Sequence, residues 1–183
     1  CQSQFISSNI APPPTARKDL LESCELCGMT TDALHQTAHE GYGAVMSILG
    51  ELRDLAVDGA AGGASSQLDN TFQSLISQLD STSSGVSYNG FDLMGGGNAF
   101  GGTMFSFHMG TQNSINHVLN HFFNSQSSVS LLGFSPPNVA TQQAAQQAIA
   151  SVDSAILFLE TDEAALQSTA DISELRKTAC EVY

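Results

Sequence analysis

The chain has 183 residues and a formal net charge of −13, carried by 18 Asp and Glu against 5 Lys and Arg. Hydrophobic residues make up 42% and charged residues only 13%, so most of its polar residues are uncharged. No Lys or Arg occurs between Arg53 and Arg176. Because nucleic acids and anionic lipids are bound through clustered cations, this distribution argues against both as partners. No apolar run reaches the roughly 20 residues of a spanning helix, so we expect no transmembrane segment.

The first residues predict an extended arm. Three consecutive prolines, Pro12, Pro13 and Pro14, lack backbone donors and disfavour a continuous helix, so we assign residues 1–18 to the arm. Cys1 has two interpretations. Cleavage of a bacterial lipoprotein signal leaves a Cys at the first position, which makes Cys1 a candidate for lipidation; a fragment boundary is the alternative.

Apolar residues at spacings of three and four predict three helices. The first covers residues 31–57, and its stripe consists of Leu34, Ala38, Tyr42, Val45, Leu49, Leu52 and Ala56. After a Gly-rich turn at residues 59–66, the second stripe consists of Leu68, Phe72, Leu75, Ile76 and Leu79. The third is Ala145, Ile149, Val152, Ile156, Leu159 and Leu166. We expect the first and last helices to pack antiparallel along their length.

A small β-hairpin is predicted between the second and third helices, around residues 86–119. The sequence YNGF at residues 88–91 is typical of a tight turn, and residues 105–110 alternate as a strand does. Residues 127–138 contain two prolines, and we predict that they form a loop. The predicted fold class is therefore mainly α: an elongated antiparallel helical bundle with a small β-hairpin, forming one domain over residues 19–183.

Five short motifs, in this order, resemble those of bacterial flagellin. They are QTA at residues 36–38, LRDLAV at 52–57, SYNG at 87–90, FHMG at 107–110 and AIASVDSAI at 148–156. The resemblance spans about residues 30–170. It implies the helical core of the outer tube of the flagellar filament, and hence an extracellular structural protein of the bacterial flagellum or cell surface. Other flagellin-like subunits are the implied partners, with no catalytic residues, cofactor or metal.

The sequence also departs from the flagellin pattern. The basic C-terminal motif of the family falls on residues 163–172, where only Leu166 is retained. The family's long terminal helices and variable outer domains have no counterpart here. These departures argue against ordinary filament packing and against recognition by the innate immune receptor for flagellin. They leave an alternative function, a secreted or lipid-anchored interaction module that uses the bundle but no longer self-assembles.

The predicted subunit or partner interface is centred on Leu52, Arg53, Asp54 and Leu55. Helical periodicity turns Leu52 and Leu55 towards the bundle interior and leaves Arg53 and Asp54 available to a neighbouring molecule. A surface ion pair is an equally good interpretation of Arg53. The acidic residues of the last helix, Asp153, Glu160, Asp162 and Glu163, are interpreted as a solvated acidic face.

Two histidine pairs have the spacing of helical metal ligands. They are His35 with His39, and His117 with His121. The first resembles a zinc protease motif, but Gln36 occupies the position of the general base, which excludes that catalysis. Nothing in the sequence brings the pairs together, so solvent-facing helix positions are the simpler interpretation.

The remaining chemical feature is a set of cysteines. Cys24 and Cys27 form a C-x-x-C pair, and Cys180 lies near the opposite end of the chain. No second pair completes a zinc site, and no βαβ unit surrounds the motif as in thioredoxins. Antiparallel packing of the two long helices instead brings Cys180 near Cys24 and Cys27. We expect a disulfide from Cys180 to one of the two.

Overall fold

A computed structural model describes residues 14–95, 102–108, 118–124, 126–133 and 137–181. Its helices are α1 (Pro14–Asp58), α2 (Ser66–Gly85), α3 (Ser128–Leu132) and α4 (Gln142–Glu181). Strands β1 (Ser87–Tyr88) and β2 (Phe91–Asp92) form one antiparallel pair, and β3 (Gly102–His108) and β4 (Val118–Asn124) form a second two-stranded sheet. None of the helices in the described residues has the length and apolarity needed to cross a membrane.

The first helix begins earlier than the sequence predicted. It starts at Pro14 rather than Thr31, so residues 14–18, which we had assigned to the arm, are helical. Proline is well tolerated at the first position of a helix, because its missing N–H has no intrahelical acceptor there and its φ is already helical. Pro14 therefore begins the helix instead of preventing it. The rest of the predicted arm, Cys1 included, lies outside the described residues.

The predicted apolar stripes form the core. All seven stripe residues of α1 are buried, as are Phe72, Ile76 and Leu79 of α2. In α4, Ile149 and Ile156 are half-buried, and the other four stripe residues are buried. A wide turn at Gly59–Gly63 separates α1 from α2, and Ser65 then caps α2 by accepting a hydrogen bond from the Leu68 amide at 3.1 Å.

The predicted YNGF turn is also present. Ser87 pairs with Asp92 and Tyr88 with Phe91, while Asn89 and Gly90 adopt φ of 51° and 82°. Both values lie in the left-handed region that a type I′ hairpin turn requires, and Asn-Gly is the sequence that adopts it most readily. The carboxylate of Asp92, the last residue of β2, accepts hydrogen bonds from the amides of Met94 and Gly95.

Helix α3 lies in a segment that the sequence predicted as loop. Asp80 of α2, 48 residues earlier in the chain, caps α3. Its carboxylate accepts hydrogen bonds from the Ser128 amide at 2.7 Å and from the Ser128 hydroxyl at 2.8 Å. Asp69 similarly accepts the Val139 amide at 2.9 Å. These two carboxylates hold the connection between β4 and α4 against α2. Because the capping groups come from another helix, local sequence gave no sign of α3.

The chain divides into two compact units. One contains Cys1–Gln36, Met104–Phe122 and Ala165–Tyr183, and the other contains Thr37–Thr103 and Phe123–Ala164. We call the second the central unit; it holds most of the buried side chains, α2 and the β1–β2 hairpin. The prediction of one domain over residues 19–183 stays a prediction.

Candidate subunit interface

Within the central unit, α1 and α4 run antiparallel. Arg53 pairs with Asp153 at 2.6 Å, and the Tyr42 hydroxyl donates to Asp162 at 2.8 Å. A third contact joins His39 of α1 to Glu163 of α4 at 2.9 Å. As the α1 residue number falls, the number of its α4 partner rises, which is the pattern of antiparallel helices.

The predicted interface segment is divided between core and surface. Leu52 is fully buried and Leu55 is half-buried, whereas Arg53 and Asp54 are exposed. Arg53 contributes its Nε to the pair with Asp153, and the two side chains remain 45% and 46% exposed. An ion pair of this exposure contributes at most about 1 kcal/mol to stability. Leu52 therefore supports the core, and Arg53 and Asp54 are the exposed part of the segment.

The outer face of α4 exposes two large apolar side chains. We define this face by Ser154, Leu157, Phe158 and Thr161. Leu157 is 64% exposed and Phe158 is 43% exposed. The Ser154 hydroxyl donates to the Ala150 carbonyl and the Thr161 hydroxyl to the Leu157 carbonyl, both at 2.8 Å. These hydroxyls keep a hydrogen bond if the face is covered, which lowers the cost of removing them from water.

A partly buried polar cluster joins the end of β4 to α1 and α4. The Asp162 carboxylate accepts hydrogen bonds from the Tyr42 hydroxyl at 2.8 Å, from the Gln126 amide at 2.8 Å and from the Asn124 amide. Tyr42 and Gln126 are fully buried, and Asn124 is the last residue of β4. One carboxylate thus connects α4, α1 and the end of a strand. Its role is to fix these three elements relative to one another.

The same cluster perturbs the titration of Tyr42. Burial of the phenol, which disfavours the phenolate, raises the pKa of Tyr42 well above its ordinary value of 10.0. The Asp162 charge and the hydrogen bond to it act in the same direction, because both favour the protonated hydroxyl. Tyr42 is therefore a neutral hydrogen-bond donor throughout the physiological range of pH.

The acidic residues of α4 are not uniformly solvated, contrary to the prediction. Asp162 and Glu163 are half-buried, and both have partners on α1, as does Asp153. Glu160 is exposed, as predicted. The sequence could not identify these partners, because they lie 100 residues or more away along the chain for Asp153 and Asp162.

The histidine pairs also differ from their interpretation as solvent-facing helix positions. His35 is buried, His39 is exposed and contacts Glu163, and His121 lies in strand β4. His117 lies outside the described residues. In the part of the chain that the structure describes, no three His, Cys, Asp or Glu side chains are grouped to hold a metal ion.

The cysteine predictions are not tested by side-chain positions. Cys24 and Cys27 lie within the bounds of α1, and Cys180 lies within those of α4. Their side chains, and Cys1 entirely, fall outside what the structure describes. The disulfide and the lipidation stay predictions.

Comparison with known proteins supports a flagellin-like fold. No family model matches the chain, and no curated protein sequence matches it. Among solved structures it is similar to a crystal structure of Bacillus cereus flagellin, with a TM-score of 0.69 and 18% sequence identity. The similarity covers 83% of this chain and 86% of that chain. At this identity the likeness shows the fold, and it confirms the predicted fold class of a mainly helical bundle with a small hairpin.

Proposed function

We propose that this chain is a structural, non-enzymatic flagellin-like subunit that contributes to a bacterial extracellular filament, at the flagellum or the cell surface. The likeness to Bacillus cereus flagellin supports the proposal because it extends over most of both chains. The ordered motifs from QTA to AIASVDSAI support it independently of the fold, since they are short sequence features.

The outer face of α4 is the proposed contact surface between copies of the chain. The observation that carries this assignment is the exposure of Leu157 and Phe158 side by side on a regular helix. Covering them removes apolar surface from water at about 25 cal/mol per Å². The neighbouring hydroxyls add little cost, since they are already bonded within the helix. Arg53 and Asp54 are exposed polar residues of α1, and Arg53 pairs with Asp153, the residue before Ser154 on α4.

Sedimentation velocity over a range of concentrations tests this surface. We expect the wild-type chain to associate as its concentration rises, and Leu157→Glu to remain monomeric over the same range. Gln78→Glu is the matched control, because it adds the same charge at an exposed position of α2 and should associate like the wild type. Far-UV circular dichroism verifies that the variants keep their helix content.

Two results would contradict the proposal. Equal association of Leu157→Glu and the wild type would show that the outer face of α4 is not the contact surface between copies. A wild-type chain that remains monomeric at every concentration would favour the interaction module that no longer self-assembles.

A further inference from the structure

The exposed large apolar side chains of the central unit lie close to one ion pair. Among the described residues of that unit they are Val57 of α1, which is 41% exposed, and Leu157 and Phe158 of α4. Val57 lies four residues after Arg53, and Leu157 lies four residues after Asp153. Arg53 and Asp153 are themselves paired at 2.6 Å. The ion pair therefore has an exposed apolar side chain near each of its two partners.

Helical periodicity places Val57 and Leu157 on the same side of the two helices. Residues four apart on a helix lie one above the other on the same face, so Val57 shares a face with Arg53, and Leu157 shares one with Asp153. The Arg53 Nε donates to the Asp153 Oδ1, and this contact brings the two faces to one side of α1 and α4. We call Val57, Arg53, Asp153 and Leu157 the ion-pair patch.

The antiparallel course of the helices sets the layout of the ion-pair patch. Each apolar side chain lies about 6 Å beyond the ion pair along its own helix axis, at a rise of about 1.5 Å per residue. Because α1 and α4 run in opposite directions, Val57 and Leu157 lie on opposite sides of the pair. A molecule that covers both apolar side chains must also cover the Arg53–Asp153 pair between them.

Charge distinguishes this patch from the rest of the central unit. Arg53 is the only Lys or Arg in the unit, whose other formally charged residues are all Asp or Glu. Two copies of such a unit repel each other wherever acidic surfaces meet. At the ion-pair patch Arg53 compensates the charge of Asp153, so a second copy approaches without that repulsion. A basic partner would instead favour the acidic surface away from Arg53.

We propose that the Arg53–Asp153 ion pair determines the specificity of association between copies of this chain, and that the second copy covers it together with Val57 and Leu157. This inference rests on the proposed function, which assigns the outer face of α4 as the contact surface. It extends that surface to Val57 of α1 and gives the ion pair a role in association.

The ion pair should matter more for association than for folding. In the isolated chain both side chains are nearly half exposed, and water screens their attraction. A second copy that displaces this water lowers the local dielectric constant, which strengthens the attraction. Without Arg53, the covering copy would leave the Asp153 carboxylate desolvated and uncompensated, a change that weakens binding strongly.

Sedimentation velocity of the full chain over a range of concentrations tests the role of Arg53. We expect Arg53→Gln to raise the dissociation constant for self-association by about tenfold or more. Gln78→Glu is the matched control, because it changes the net charge by the same amount at an exposed position of α2. It should associate like the wild type. Urea denaturation verifies that the variants unfold near the wild-type midpoint.

A double variant separates the ion pair from net charge. Arg53→Gln combined with Asp153→Asn keeps the net charge of the wild type and leaves no uncompensated carboxylate at the patch. It should therefore associate more tightly than Arg53→Gln alone. Val57→Ser tests the α1 side of the patch, and it should also weaken association, because it removes apolar surface from the contact.

The outcomes separate this inference from the assignment of α4 as the contact surface. If Leu157→Glu abolishes association but Arg53→Gln associates as tightly as the wild type, the ion pair has no such role and the surface stands. A double variant no tighter than Arg53→Gln would also overturn the inference. Equal association of Leu157→Glu and the wild type, or a wild type that stays monomeric, would overturn the surface and this inference together.

Discussion

Removal of the Tyr42 hydroxyl tests the partly buried cluster that connects the end of β4 with α1 and α4. The hydroxyl donates to the Asp162 carboxylate at 2.8 Å and is fully buried. A hydrogen bond to a charged group is worth about 1.5–3 kcal/mol. In Tyr42→Phe, Asp162 keeps two amide donors, from Asn124 and Gln126, so we expect a loss of about 2 kcal/mol in the free energy of unfolding, within that range.

Urea denaturation followed by circular dichroism measures this loss. With a slope of about 2 kcal/mol per molar urea, the transition midpoint should fall by about 1 M. Tyr88→Phe is the control, because it removes the same atom from a residue of the β1–β2 hairpin and should change stability by less than about 0.5 kcal/mol. Equal effects of the two variants would refute the role assigned to the cluster.

Alkaline pH gives a second signature of Tyr42. Its pKa is raised in the folded state, so the unfolded chain loses this proton first, at about pH 10. The stabilisation that the raised pKa of Tyr42 contributes to the folded state is therefore fully present below pH 10. It is lost progressively above pH 10, by about 1.4 kcal/mol per pH unit. The stability difference between wild type and Tyr42→Phe should shrink above pH 10. A difference that stays constant from pH 8 to pH 11 would contradict this assignment.

Four further substitutions test packing and the surface. Leu52→Ala should lower the free energy of unfolding by about 2–5 kcal/mol through the cavity it leaves, whereas Leu157→Ala should change it by less than about 0.5 kcal/mol. Similar values for the two variants would contradict the assignment of Leu52 to the core and Leu157 to the surface. Gly59→Ala should destabilise the folded protein by about 1–3 kcal/mol in thermal melts, because the new methyl group meets the Ala145 side chain. A more stable variant would contradict this close approach of residue 59 to α4. Arg53→Ala should cost less than about 1 kcal/mol in urea, and a larger loss would mean that its ion pair is not a surface contact.

The sequence predicted the features that depend on local pattern. The apolar stripe of α1 is buried over its whole length, because a period near 3.6 turns those residues to one side whatever they pack against. The Asn89-Gly90 turn follows in the same way from the backbone conformations that only a few residues adopt readily.

The features that the sequence did not predict depend on partners far along the chain. Helix α3 is capped by Asp80, 48 residues before Ser128. Asp162 binds Tyr42, 120 residues away, and therefore looked like one more solvated carboxylate. On the outer face of α4, Leu157 and Phe158 are exposed, and the Ser154 and Thr161 hydroxyls beside them bond to carbonyls of their own helix. The sequence predicted the buried stripe of α4 but did not identify this exposed apolar pair.

The central claim is that the chain assembles as a flagellin-like structural subunit, and negative-stain electron microscopy of the concentrated wild-type protein tests it most directly. We predict linear assemblies with a regular subunit repeat at moderate salt, absent from Leu157→Glu and present in Gln78→Glu. Isolated particles of the wild type at every concentration would contradict the claim.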